Sequence, residues 1–319
     1  MKKHFSYLLL FPFIMSTIGC SNPNQNSQES ALESESQEVV DRGPVDVVVI
    51  SGQSNAVGCT YSICLPDTVG AEKYDEYFNG YESIQIAFDS WTKDWPNGYD
   101  KPATFYSQNS SKKKDFVKVA LGQGNSKNTF GPEIGIAEAT HQKYGGKLFL
   151  IKYACGASNL KDDWTDKKSP MYPRLIEYVK FQMNNLKQKG YQPTIKAFCW
   201  MQGEGDTYPG YHTVYQDNLR TFTNNIREDL KEFSGNKELP FIDAGISSAS
   251  MWEYSKQVND AKRAFAAESE NNIFIDTIAA GMHTNIEPKE QPDEAHYDSD
   301  SQIQLGHLFA EAFDQFLMK

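Results

Sequence analysis

Short apolar runs alternate with stretches of helical period along most of this chain. Residues 47–50 are four β-branched apolar residues in a row, which predicts a buried strand over 45–51. Comparable runs predict strands at 84–88, 147–154, 194–201, 240–246 and 272–276. Helical spacing fits 132–144, 171–190, 211–234, 252–270 and 300–317. In the second of these, Met171, Leu175, Ile176, Val179, Met183 and Leu186 form one stripe, and Gly190 and Pro193 mark its end. Strand–helix alternation over a whole domain predicts an α/β fold, a three-layer α/β/α sandwich around a central, mostly parallel sheet. The stretch 59–130 breaks the rhythm and reads as a loop-rich excursion.

The first forty residues follow different rules. Lys2 and Lys3, an apolar run from Tyr7 to Met15, and Ser16 to Cys20 resemble a bacterial lipoprotein signal ending at a cysteine to be acylated. The run is too short for a permanent membrane span. Residues 21–43 are mostly Ser, Asn, Gln and Glu, so they predict a polar tether with too little apolar surface to order itself. The expected organisation is a signal at 1–20 with lipidated Cys20, a tether at 21–43 and one folded domain at 44–319. Such a protein sits outside the cytoplasm, anchored by lipid to a bacterial membrane at the cell surface or facing the periplasm.

Charge and cysteine content narrow the chemistry. A formal net charge of −11 with no basic patch argues against a nucleic-acid partner. Beyond Cys20, an even set remains: Cys59, Cys64, Cys155 and Cys199. Cys59 with Cys64 would close a short disulfide loop, and Cys155 and Cys199 fit either buried thiols or a second bridge. No His/Cys cluster has zinc spacing, so no metal is expected. No glycine-rich phosphate-binding motif follows the first strand, which removes the nucleotide-binding reading of the α/β pattern.

Polar turns follow the strands. The first strand leads into Ser51-Gly-Gln-Ser-Asn55, the third into Cys155-Gly-Ala-Ser158, the fourth into Gln202-Gly-Glu-Gly-Asp206, and Asp293-Glu-Ala-His296 precedes the last helix. Ligands of open α/β sheets bind at such carboxyl-end turns. Ser54 can serve as a nucleophile if His296 takes its proton and Asp293, three residues from His296, orients the ring. Ser54 N–H, Gly156 N–H and the Gln202 side-chain amide are candidate donors to a tetrahedral oxyanion. Taken singly, each has a plainer explanation: a turn serine, a surface histidine, a capping amide, a packing glycine. Their conjunction in separate turns at one sheet edge is what favours catalysis.

Gly52-Gln53-Ser54-Asn55, Trp200-Met-Gln-Gly-Glu-Gly-Asp206 and Asp293-Glu-Ala-His296-Tyr297 resemble the signature blocks of the SGNH-hydrolase superfamily. They are most similar to its sialate O-acetylesterase and acetylxylan esterase branch, carbohydrate esterase family 6. Phe130-Gly-Pro-Glu133 and the stretch 296–306 match that branch too, so the resemblance spans about 46–310. It implies a flavodoxin-like sandwich, with Ser54 as nucleophile, His296 as base, Asp293 as its partner, and Gly156 and Gln202 in the oxyanion hole. Gln53, Asn55, Glu204 and Asp206 are supporting residues. Two departures stand out: Ala157 replaces the family's second glycine, and Gly205 replaces a serine, which is expected to loosen that backbone.

The implied activity is serine-dependent hydrolysis of acetyl esters on sugars through an acetyl-enzyme, with no cofactor. The acetylated carbohydrate and the lipid anchor are the expected partners; no protein partner is expected. Trp91, Trp95 and Trp164 are candidates for a sugar-binding rim. Two alternatives use the same residues differently: a sugar O-acyltransferase on the same scaffold, and a non-catalytic carbohydrate-binding lipoprotein.

Overall fold

The computed structural model describes residues 40–94, 106–109, 115–235 and 237–318. The expected signal at 1–20, Cys20 and most of the tether lie outside the described residues. The folded body begins no later than Arg42, whose N donates to Gly190 O.

β1 (Gly43–Gly52) is the central strand, and Val45 and residues 47–50 are fully enclosed. It pairs in parallel with β7 (Leu148–Gly156) on one side and β8 (Tyr191–Met201) on the other. Beyond β8 lie β9 (Phe241–Ala244) and β10 (Asn272–Ile275); beyond β7 lies β3 (Tyr81–Lys93). All these pairings are parallel; among the described residues of this sheet, only the short β4 (Tyr106–Gln108) and β5 (Val117–Val119) run antiparallel, both on β3. Continuous apolar runs such as 47–50 are required here because helices cover both faces of the sheet.

One face carries α4 (Glu133–Tyr144) and α9 (Ser299–Asp314), which touch at Gly135 and Gly306. The other carries α6 (Tyr172–Gln188), α7 (Tyr215–Asp229) and α8 (Ser255–Ala266). Phe198, Phe222, Phe241 and Phe265 interlock across that second interface. The helix predicted over 211–234 is broken at both ends into short 3-10 turns around α7.

The excursion at 59–130 is more ordered than expected. It holds β2 (Thr60–Tyr61) paired with β6 (Thr129–Phe130), α2 (Leu65–Val69), α3 (Ala71–Asn79) and the long β3. The α3 helix escapes sequence reading because it is short and highly charged, and among its residues only Tyr77 is buried.

The Cys59–Cys64 disulfide does not form, and Cys155 and Cys199 are buried thiols, the first of the two alternatives: all four are free. Cys155 lies on β7 and Cys199 on β8, with β1 between them. Two strand spacings, about 9–10 Å, exceed what a disulfide spans. Extended pairing of Thr60 and Tyr61 with β6 separates Cys59 from Cys64.

From the central β1 the chain crosses to β3, returns to insert β7 beside β1, and then passes β1 to add β8, β9 and β10 in turn. The direction of travel thus reverses next to β1, and the carboxyl ends of β1, β7 and β8 flank that reversal. Beneath it, Lys152 of β7 is fully buried. Its ammonium donates to Val57 O (3.0 Å), Gln123 O (2.7 Å) and Glu133 Oε2 (2.7 Å), which uses all three protons. Glu133 Oε1 in turn accepts Gly131 N at 2.9 Å. Burial pushes the Lys152 pKa down, and the Glu133 carboxylate offsets part of this. Lys152→Met is expected to cost about 3–5 kcal/mol in denaturant unfolding, because it strands Glu133 uncompensated in the core. The double variant Lys152→Met/Glu133→Leu is expected to recover part of that loss.

Candidate active site

At the end of β1, Gly52 has φ +142, and a β-carbon there would collide with Met201 O. Gln53 N donates to the same carbonyl at 2.9 Å. The chain then turns into α1 (Ser54–Val57), which puts Ser54 at the first position, partly exposed above three buried residues.

Asn55 links this turn to the rest of the site. Its Nδ2 donates to Glu204 Oε1 at 2.8 Å, its Oδ1 accepts Tyr297 N at 3.1 Å, and its main-chain oxygen accepts Gln302 Nε2 at 3.0 Å. Thr60 Oγ1 adds a 2.7 Å bond to Tyr297 O. Ser54 and His296 each immediately precede a member of the bonded pair Asn55–Tyr297, so the two candidate catalytic residues are held to one place from positions 242 apart in the chain.

His296 Nδ1 lies 2.6 Å from Asp293 Oδ2, while Asp293 Oδ1 accepts Ala295 N at 2.8 Å and His296 N at 3.3 Å. Burial raises the Asp293 pKa, but the His296 ring and these N–H groups outweigh it and leave the carboxylate more acidic than usual. Burial likewise disfavours the imidazolium, yet Asp293, followed by the neighbouring Cys59 side chain, overrides it and raises the His296 pKa above its ordinary 6.5. Among the described residues the ring's side-chain partners are Asp293 and Cys59, and none is Ser54 Oγ. Contacts between a nucleophile and its base are often long before substrate binds.

Bonds within the His296 loop give it its shape. Asn285 N donates to Asp293 O, Asp293 N to Glu287 O, and Asp298 Oδ1 accepts both Ile286 N and Glu287 N. His283 Nδ1 meets Asp298 Oδ2 at 2.7 Å, closing the loop at its base. Sequence reading missed Cys59, His283, Glu287 and Asp298; only Asp298, as the residue before a helix, carried a local signal.

The Gln202 side chain does not face the site as expected. It is fully buried, and its Nε2 is directed at Asp206 Oδ2 (2.7 Å), Gln53 Oε1 (3.1 Å) and Ser158 O (3.4 Å). Its Oε1 accepts Tyr215 OH at 3.1 Å. Both amide protons are thus spent internally, and the residue ties three loops together where an oxyanion donor was expected. Gln53 Oε1 also collects Gly203 N and Gly205 N at 3.2 and 3.1 Å. Asp206 accepts Leu160 N at 2.7 Å and Lys161 N at 3.3 Å, and burial pushes its pKa up to about 7. Glu204 is buried with its pKa raised by desolvation, and its Oε2 has no partner.

Gly156 closes β7 beside Ser54. A β-carbon on it would lie 3.9 Å from Ser54 Cβ. Ala157 keeps a left-handed backbone at φ 60, so the loop retains a glycine-like shape without the glycine. Gly205 does not loosen its turn. A β-carbon there would strike Ser158 O, so this glycine allows the two loops to approach closely.

Trp164 is not a rim residue: it is fully buried against Tyr153, Trp200 and Phe222, and its Nε1 donates to Ser158 Oγ at 2.8 Å. Trp91 is partly buried under Arg174, and Trp95 lies outside the described residues. No group of three or more His, Cys, Asp or Glu that could hold a metal occurs among the described residues.

Gly205→Ser is expected to destabilise the fold by about 1–3 kcal/mol through overpacking against Ser158, read as a lowered denaturation midpoint. Ala157→Gly is expected to raise stability by up to about 1 kcal/mol by relieving the left-handed alanine.

The geometry agrees with comparisons to known proteins. The family described as "Carbohydrate esterase, sialic acid-specific acetylesterase" matches residues 44–315. No curated protein matches the chain. Among solved structures, an Arabidopsis thaliana protein is 18% identical, covering 86% of this chain and 100% of its own, with a TM-score of 0.57. NanS is 15% identical, covering 87% and 99%, with a TM-score of 0.56. A carbohydrate acetylesterase from Xanthomonas citri is 14% identical, covering 85% of this chain and 56% of its own, with a TM-score of 0.50. At these identities the structures speak for the shared fold, and the family match over almost the whole folded body speaks for descent. The chain belongs to the sialic acid-specific acetylesterase family of carbohydrate esterases and is a carboxylic-ester hydrolase.

Proposed function

We propose that this carbohydrate O-acetylesterase works through Ser54, His296 and Asp293, releasing acetate from an O-acetylated sugar by way of an acetyl-enzyme. The observation that carries this reading is the Asn55–Tyr297 bond, which sets the 2.6 Å His296–Asp293 pair beside the Ser54 turn.

In the first step His296 Nε2 takes the Ser54 hydroxyl proton as Oγ attacks the acetyl carbonyl. Asp293 holds the ring through Nδ1 and stabilises the imidazolium. Charge on the carbonyl oxygen is met by main-chain N–H groups of Ser54 and Gly156, with the Gln202 amide committed elsewhere. The sugar oxygen leaves with the proton from His296. Water, deprotonated by the same ring, then cleaves the acetyl-serine to acetate. No step calls for a metal or an organic cofactor.

Ser54→Ala is expected to lower acetate release from acetylated xylan or O-acetyl sialic acid by at least about 10⁴-fold. Release that survives in the mutant would remove Ser54 from the mechanism. The two substrates separate a polysaccharide esterase from a sialate esterase. The base must be neutral to act, so kcat/KM is expected to rise with pH through the free enzyme's His296 pKa, which lies above 6.5. Asp293→Asn removes the main upward influence. It is expected to shift that limb toward lower pH while reducing the maximal rate by up to about 10⁴-fold.

We further propose acylation at Cys20 and an extracytoplasmic, membrane-anchored location, supported by the charged, apolar and cysteine-ended order of residues 1–20. Metabolic labelling with a fatty acid is expected to mark the full chain and not Cys20→Ala.

A further inference from the structure

With the Gln202 amide spent on Asp206, Gln53 and Ser158, only main-chain N–H groups have been assigned to the charge on the tetrahedral intermediate. The β3 edge of the site carries another donor. Thr92 pairs in register with Gly156, and the position a β-carbon on Gly156 would take is 3.6 Å from Thr92 Oγ1, 3.7 Å from Trp91 O and 3.9 Å from Ser54 Cβ. These are ordinary contact distances, so the absent side chain of Gly156 leaves room for an atom that touches all three. A tetrahedral adduct on Ser54 carries its oxyanion three covalent bonds from Ser54 Cβ, within reach of that room. Trp91 O can only accept a hydrogen bond, whereas Thr92 Oγ1 can donate one.

The surroundings of Thr92 hold its hydroxyl ready for that use. Asn109 Nδ2 donates to Thr92 Oγ1 at 2.5 Å and to Asn125 Oδ1 at 2.7 Å. Main-chain bonds fix both asparagines: Asn109 N donates to Ser90 O and Asn125 N to Gly58 O, each at 2.8 Å. Thr92 Oγ1 is thus an acceptor in this network, and among the described residues its own proton goes to no partner. A hydroxyl that accepts one hydrogen bond is polarised toward donating another. Thr92 is half-buried, so it is neither sealed in the core nor fully solvated.

We infer that Thr92 is a catalytic residue whose hydroxyl is the side-chain donor to the oxyanion, in the role Gln202 was expected to fill. As Ser54 Oγ bonds to the acetyl carbon, the carbonyl π electrons move onto oxygen, and the Thr92 O–H meets that charge together with Ser54 N–H and Gly156 N–H. The hydroxyl keeps its proton throughout. When the sugar oxygen departs, the carbonyl re-forms and the hydrogen bond weakens; the same donor serves again when water attacks the acetyl-serine. The inference rests on the Ser54 mechanism proposed above and adds one residue to it.

The test compares Thr92→Val, which keeps the shape and removes the hydroxyl, with Thr92→Ser, which keeps the hydroxyl. Thr92→Val is expected to lower kcat for acetate release about 10²–10³-fold with KM within about twofold, because the bond strengthens only in the transition state. Thr92→Ser is expected to recover most of that loss. A second readout does not depend on turnover rate: inhibition by methylboronic acid, which forms a tetrahedral adduct on a serine, is expected to weaken at least about tenfold in Thr92→Val. A threonine that only anchors Asn109 predicts kcat and boronate inhibition within about threefold of wild type, and that result overturns the inference. So does a loss confined to KM, or one that Thr92→Ser fails to restore in protein of unchanged thermal midpoint. Ser54→Ala, run in parallel, separates the two failures. Acetate release that survives it sinks the Ser54 mechanism, whereas Ser54-dependent release indifferent to Thr92→Val sinks this inference alone.

Discussion

The Asn55 side chain is the interaction on which the rest of the site depends. It is 1% exposed, and its amide spans Glu204 on the loop after β8 and Tyr297 on the loop before α9, while the main-chain oxygen of the same residue receives Gln302 from α9 itself. Glu204 and Tyr297 are buried, so losing the side-chain amide would leave Glu204 Oε1 and Tyr297 N unmet together, at about 1–3 kcal/mol apiece. Aspartate is nearly the same shape but cannot donate to Glu204. The asparagine after the nucleophile is therefore explained by its two-sided hydrogen bonding, with one donor face and one acceptor face used in opposite directions.

A second layer of the same kind surrounds Gln53, Gln202 and Asp206. These polar groups interlock beneath the reacting surface, and the loops they join come from β1, β7 and β8. With this many donors and acceptors satisfied in a dry interior, the turns cannot drift independently. Precise placement of the acyl-transfer groups follows from polar bonding under the site as much as from the sheet.

The sheet was readable because strands buried on both faces are largely apolar, as residues 47–50 and 148–151 are. The Ser54 turn was readable for a different reason: strand ends are where polar turns can be exposed, and β1 ends at Gly52. What stayed hidden depended on partners distant in sequence. Gln202 looks like a free donor until Asp206 and Gln53 are seen to take its protons. Trp164 looks like a rim aromatic in a polar loop until its ring is found among Tyr153, Trp200 and Phe222. The cysteines could be counted but not placed, since the strand order that separates Cys155 from Cys199 is a property of topology.

The 242-residue span bridged by Asn55 and Tyr297 also bears on synthesis. A ribosome delivers the Ser54 turn early, but the segment that supplies Asp293, His296 and Gln302 emerges only after every strand of the parallel sheet has been made. On the proposed mechanism, a nascent chain can thus assemble its parallel sheet while remaining catalytically silent. If Asp293 and His296 serve as proposed, hydrolytic competence arrives with the docking of the last helix, which would make turnover itself a reporter of completed folding.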